Sequence, residues 1–179
     1  MISRNIKDLS AAEKEQLVSG FQALQHRPSS FDARLSARDY FVQAHITATI
    51  PSELKHAAWK FFPWHRELMF RVTSEIRLAT GNSSLTLPYW DWTDPDSSFA
   101  TFADTFMGGS GDPANAFAVD QKHPFGPTRW RISPQFRTIA AEQRTNGTLI
   151  RSFGNGLLAC VDRAREERYF LGCDHHPYG

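Results

Sequence analysis

Apolar residues return every three or four positions through three stretches of the N-terminal half, and each stretch has a helix-start signal in front of it. Ser10 and Glu13 form a Ser-x-x-Glu capping box, and Leu17, Val18, Phe21 and Leu24 then trace one face of an amphipathic helix. Ser36 and Asp39 supply a second cap, followed by Phe41, Ala44, His45 and Ala48 at i, i+3, i+4 and i+7. A third helix is predicted over 63–80. Pro63 suits a first turn because its φ is fixed and it lacks an N–H, while Gly81 and Asn82 tolerate the left-handed conformation that ends a helix. Down one face of this third helix run His65, Met69, Val72 and Ile76 at i, i+4, i+7 and i+11, so His65 belongs to the apolar stripe.

After Thr93 the pattern changes. DPDSS, MGGSGDP and HPFGP mark a long region of turns, with helices expected again over 135–143 and 158–170. A loop region of that length is unusual unless it packs over a functional core. Asp94-Pro95-Asp96 is not a calcium loop, because Phe99 stands where that motif needs glycine.

The histidines carry the chemistry. His56 and His65 are nine residues apart, which puts them on opposite faces of any single helix, but a helix start near Pro63 leaves His56 in the preceding segment. A lone inward histidine is most often a core residue hydrogen-bonded to backbone. Two inward histidines on successive helices, His45 and His65, with His56 in the link between them, point instead to a metal site. Burial disfavours protonated imidazole and leaves the neutral form that binds metal. Three imidazoles with no thiolate or carboxylate among them suit copper or zinc, and copper binds such donors more tightly.

The segments YFVQAH ending at His45, KHAAWKFFPWHRELMF around His56 and His65, and LPYWDWT from Leu87 to Thr93 together resemble the tyrosinase copper-binding domain of tyrosinases, catechol oxidases and molluscan hemocyanins. Weaker echoes follow in FMGGSGDP and HPFGPTRWRI, so the resemblance covers about residues 2–132. It implies a mainly α fold, the copper A half of a type 3 copper four-helix bundle with long loops, in which His45, His56 and His65 are the three copper A ligands. The chain then reads as one incomplete domain over 1–179, with the copper A lobe at about 2–132 and a variable region at 133–179. Plant and fungal relatives carry a cysteine two residues before the second copper A histidine; Leu54 stands there in this chain, which rules out a thioether and resembles the bacterial pattern.

The family's reaction needs two coppers, each held by three histidines, with dioxygen between them. Copper B is marked by a His-x3-His pair, whose spacing puts both rings on one helix face. The remaining histidines here are His26, His123, His175 and His176, and no two are four apart. The resemblance therefore implies a tyrosinase-like, copper-dependent oxidoreductase acting on phenols or catechols with dioxygen, of which this chain holds the copper A half and is inactive alone, as a truncated product or fragment. Two alternatives stay open. A mononuclear three-histidine site could activate water for hydrolysis, with Glu67 or Glu53 as the base. A non-catalytic copper-binding remnant could self-associate through an uncovered bundle face. Glu53 and His56 also match one carboxylate–histidine pair of ferritin-like bundles, but those need a second copy and only one occurs.

Composition narrows the partners. A net charge of +1 without a dense Lys/Arg cluster argues against nucleic acid. No apolar run approaches a membrane span, and MISRNIKDLS lacks the apolar core of a signal peptide, so a cytoplasmic location is expected. Cys160 and Cys173, far from the histidines, are then expected as free thiols. Tyr89, Trp90 and Trp92 are expected to fill core, whereas Asp91 has two candidate roles, orienting a ligand histidine or pairing with an arginine. Asn82 and Asn146 begin glycosylation patterns that carry weight only with export.

Overall fold

The computed structural model describes residues 2–49, 60–109, 111, 114, 119–120, 122–126, 128–131 and 133–136. Among them lie four α-helices, two short 3-10 turns and no β-strand: α1 (Ala11–Ala23), α2 (Ala37–Thr49), α3 (Phe61–Thr80) and α4 (Pro95–Thr101), with the turns at Ile6–Asp8 and Pro134–Phe136. The mainly α expectation holds. Contacts divide the chain into two units, Met1–Ser3 with Ala11–Leu87, and Arg4–Ser10 with Pro88–Gly179.

In the first unit α3 packs against both α1 and α2. The caps are those the sequence announces. The Asp39 N–H donates to Ser36 Oγ at 3.1 Å, and Gly81 ends α3 at φ 67°, in the left-handed region that glycine enters at no steric cost. α3 starts at Phe61, two residues before the predicted Pro63, which still falls in the first turn, where its missing N–H leaves no helix bond unmade. Gly20 sets how closely α1 and α3 approach, since a Cβ there would lie 2.7 Å from Ile76 Cγ2. Leu17, Val18, Leu24, Phe41 and the fully buried Ile76 form the core.

A buried carboxylate fastens the α1–α2 connection onto α3. Glu75, only 1% exposed, accepts the Ser30 N–H at 2.8 Å, and its second oxygen lies 3.6 Å from Arg27 Nε. Nearby, Phe31 stacks on Tyr40 with centroids 5.2 Å apart, and the Arg71 guanidinium sits 5.0 Å over the Phe31 ring.

In the second unit Asn5 pairs with Tyr89 as an isolated parallel bridge, through Ile6 N–H to Tyr89 O and Tyr89 N–H to Arg4 O, both 2.9 Å. Beneath it Ser97 Oγ donates to Asn5 Oδ1 at 2.8 Å and accepts the Asp91 N–H at 3.0 Å. α4 falls where the sequence predicted only turns. Asp94 caps it by accepting the Asp96 N–H, and Pro95 occupies the first turn. That Asp-Pro pair is itself a start signal, and a helix of 7 residues is too short to show periodicity. Only residues 135–136 of the helix expected over 135–143 are described, in the 3-10 turn Pro134–Phe136, and the helix expected over 158–170 lies outside the described residues.

Candidate metal centre

α2 and α3 bring two of the three predicted ligands together. The His45 and His65 rings have centroids 5.8 Å apart at 74° to one another, both half-buried. Two imidazoles bound to one ion at metal–nitrogen distances of about 2.0–2.1 Å hold their centroids roughly 5–6 Å apart at near-tetrahedral angles. The pair is therefore spaced as common ligands would be. His56, the third predicted ligand, lies outside the described residues, as do Glu53 and Leu54.

His65 is held in one orientation from below and from the side. Its Nδ1 lies 2.8 Å from the Phe61 carbonyl oxygen, one turn back on α3. A carbonyl can only accept, so Nδ1 donates in this hydrogen bond, which leaves Nε2 as the nitrogen that a metal would take. The Phe61 ring lies 4.2 Å from the imidazole and Trp64 packs edge-on at 4.7 Å, while Trp64 also meets His45 at 5.6 Å. These rings restrict the pair by packing and present no charge to it. Among the described residues no group of three His, Cys, Asp or Glu side chains comes close enough to hold an ion, so two imidazoles are the donors present there.

The stripe bearing His65 is not buried along its whole length. Ile76 is fully buried and Val72 half-buried, but Met69 is 45% exposed, with Phe62 and Phe70 also open on neighbouring faces of α3. Glu67, one candidate base for hydrolysis, is exposed and accepts the Arg71 Nε–H at 2.7 Å.

The aromatic string behaves differently from expectation. Tyr89 and Trp90 are 50% and 41% exposed and so do not fill a core, although Trp90 Nε1–H does find a partner in Ser98 Oγ at 3.0 Å. Among the described residues Asp91 meets no histidine or arginine side chain. Its Oδ1 accepts from both the Thr93 N–H and the Thr93 hydroxyl, at 3.0 and 2.6 Å, a local turn that delivers Asp94 to the start of α4. Of the remaining histidines, His26 is exposed just past α1, as expected. His123 is buried, accepting the Phe125 N–H on Nδ1 at 3.0 Å, and it rests on Gly108, where a Cβ would come within 1.8 Å of Nε2. With Asp104, Gly109, Val119, Asp120 and Lys122 it lines an open cleft of about 310 Å³. Sequence reasoning passed over His123 because its burial depends on a left-handed glycine (φ 73°) 15 residues upstream.

Residues 35–160 match the common central domain of tyrosinase. The chain is 26% identical to a tyrosinase of Bos taurus, over 94% of this chain and 37% of that protein, and 28% identical to one of Streptomyces antibioticus, over 91% and 56%. It is 32% identical to grixazone synthase of Streptomyces griseus, over 64% of this chain and 37% of that protein. The described fold is helical, with the His45 and His65 rings 5.8 Å apart between α2 and α3, and the central-domain match spans most of the chain. The chain belongs to the tyrosinase family. It spans about a third to about a half of the length of the relatives it matches. Copper is the cofactor that this family implies. No described helix is long and apolar enough to cross a membrane.

Proposed function

We propose that His45, His56 and His65 hold the copper A ion of a tyrosinase-type oxidoreductase that oxidises phenols or catechols to quinones with dioxygen. The observation that carries this reading is the meeting of His45 and His65 at 5.8 Å, with His65 Nδ1 committed to the Phe61 carbonyl. Copper bound there supplies the redox chemistry. The chain's own part is to aim Nε2 of His65 and to pack Phe61 and Trp64 against the pair. On this reading the lobe at 2–132 is one half of a coupled centre, and the 179-residue chain alone does not turn over, because no second histidine triad is recognisable in it.

The test is copper loading of the pure chain followed by metal analysis and a catechol assay. One copper per chain, lost in His65→Ala, with no quinone formed, is the expected outcome. Quinone formation at a rate typical of the family overturns the half-site reading, and zinc at one per chain with esterase activity overturns the redox reading. The exposed Phe62, Met69 and Phe70 support association of the isolated chain with itself, against which a clean monomer in gel filtration would count.

A further inference from the structure

His45 and His65 are not the only pair that links α2 to α3. Arg71 Nη1–H on α3 donates to the Tyr40 hydroxyl on α2 at 3.4 Å. Five residues forward along α2, from Tyr40 to His45, match six backward along α3, from Arg71 to His65, so the two helices run antiparallel. At a rise of 1.5 Å per residue the two links are about 7.5 Å apart on one helix and about 9 Å apart on the other.

The Arg71 link is built from directional parts. Arg71 Nε–H donates to Glu67 Oε1, one turn back on α3, at 2.7 Å, which sets the plane of the guanidinium and leaves Nη1 for Tyr40. The same guanidinium sits 5.0 Å over the Phe31 ring, and Phe31 stacks on Tyr40 with 21° between the planes. Phe31 is held in its turn. Its N–H donates to Ser29 Oγ at 3.1 Å, and the preceding Ser30 N–H donates to the buried Glu75, one turn beyond Arg71 on α3. Apolar packing is non-directional and leaves a helix free to slide on its neighbour. A planar cation with one nitrogen already committed does not.

We propose that Arg71 is a positioning residue: with Phe31 and Tyr40 it fixes the axial register of α2 on α3, and so keeps His45 opposite His65. It acts through α2 rather than on either imidazole. The proposal rests on the reading of both rings as ligands for its bearing on copper, and deepens that reading, but the juxtaposition it explains is present without any ion.

The experiment is NMR on the metal-free chain with labelled histidine, reading the nuclear Overhauser contact between the ring protons of His45 and His65. In Arg71→Ala the contact is expected to be lost. Ile76→Val, which destabilises the same helix from its core, should lower Tm and keep the contact at wild-type strength. Tyr40→Phe keeps the stack on Phe31 and deletes only the hydrogen bond; it should fold as the wild type does and lose part of the contact, and it carries the test if Arg71→Ala does not fold. Full intensity in Arg71→Ala, or in Tyr40→Phe, overturns the assignment. So does an equal loss in Ile76→Val, which would reduce Arg71 to a contributor to general stability. Copper plays no part in the measurement, so a chain that behaves as expected here yet takes up no copper would refute the metal reading and leave the register intact. One that binds copper but keeps the contact in Arg71→Ala would refute the positioning role alone.

Discussion

Replacing Gly20 by alanine tests how tightly α1 is seated on the helix that carries His65. By propensity alone the change should help, since glycine inside a helix costs roughly 1 kcal/mol relative to alanine. The structure reverses the sign. The new Cβ would lie 2.7 Å from Ile76 Cγ2 and 3.1 Å from Thr80 Cγ2. Neither neighbour can yield cheaply, because both methyls sit on stiff β-branched side chains and Ile76 is wholly enclosed. Overpacking of this kind costs about 1–3 kcal/mol, so the net expectation is a loss of about 1 kcal/mol. For a chain of this size that lowers Tm by about 2–4 °C. Urea unfolding followed by circular dichroism measures it directly. A double-mutant cycle adds a second check: Ile76→Ala alone should cost about 2–5 kcal/mol through the cavity it leaves. In the double variant the methyl introduced by Gly20→Ala no longer meets Ile76 Cγ2, so the two effects should combine to less than their sum by about 1 kcal/mol. A Gly20→Ala variant more stable than wild type, or strictly additive behaviour in the cycle, would refute the close approach of α1 and α3.

Glu75→Ala removes the acceptor of the Ser30 N–H and the charge facing the partly solvated Arg27, and the expected stability loss is about 1–3 kcal/mol, the cost of leaving that donor unpaired. Glu75→Gln keeps an acceptor for Ser30 and should cost distinctly less; equal losses in the two variants would show that the hydrogen bond contributes nothing. Asp32 provides the pH test. The Arg34 side chain donates two hydrogen bonds to it at 2.9 and 2.8 Å and the Arg34 N–H a third at 3.1 Å, which together hold the carboxyl down at about 2. Because this pKa is lowered on folding, the contribution is full above the ordinary carboxylate range and is lost as pH falls from about 4 through about 2. Carboxyl carbon NMR titration should show that low midpoint in the wild type and a return toward 3.8 in R34A; a wild-type midpoint already near 3.8 would refute the fork.

Local signals decided the helices. Ser36, Gly81 and the apolar spacing placed α2 and α3 to within two residues, because a cap satisfies backbone groups only a few positions away. α4 was readable in the same currency from Asp94-Pro95, which announces a helix even where the segment is too short for a periodic stripe. The sequence also put His45 and His65 on inward faces and named their chemistry through the motifs around them. Which inward faces meet was beyond it. That His45 comes within 5.8 Å of His65, that Glu75 is sealed against Ser30 and Arg27, and that Met69, Tyr89 and Trp90 stay open all depend on the element lying opposite. A helix's own periodicity states only that one side prefers to leave water. The partner that covers it, and how far along the stripe the cover reaches, is settled by contacts between residues distant in the chain.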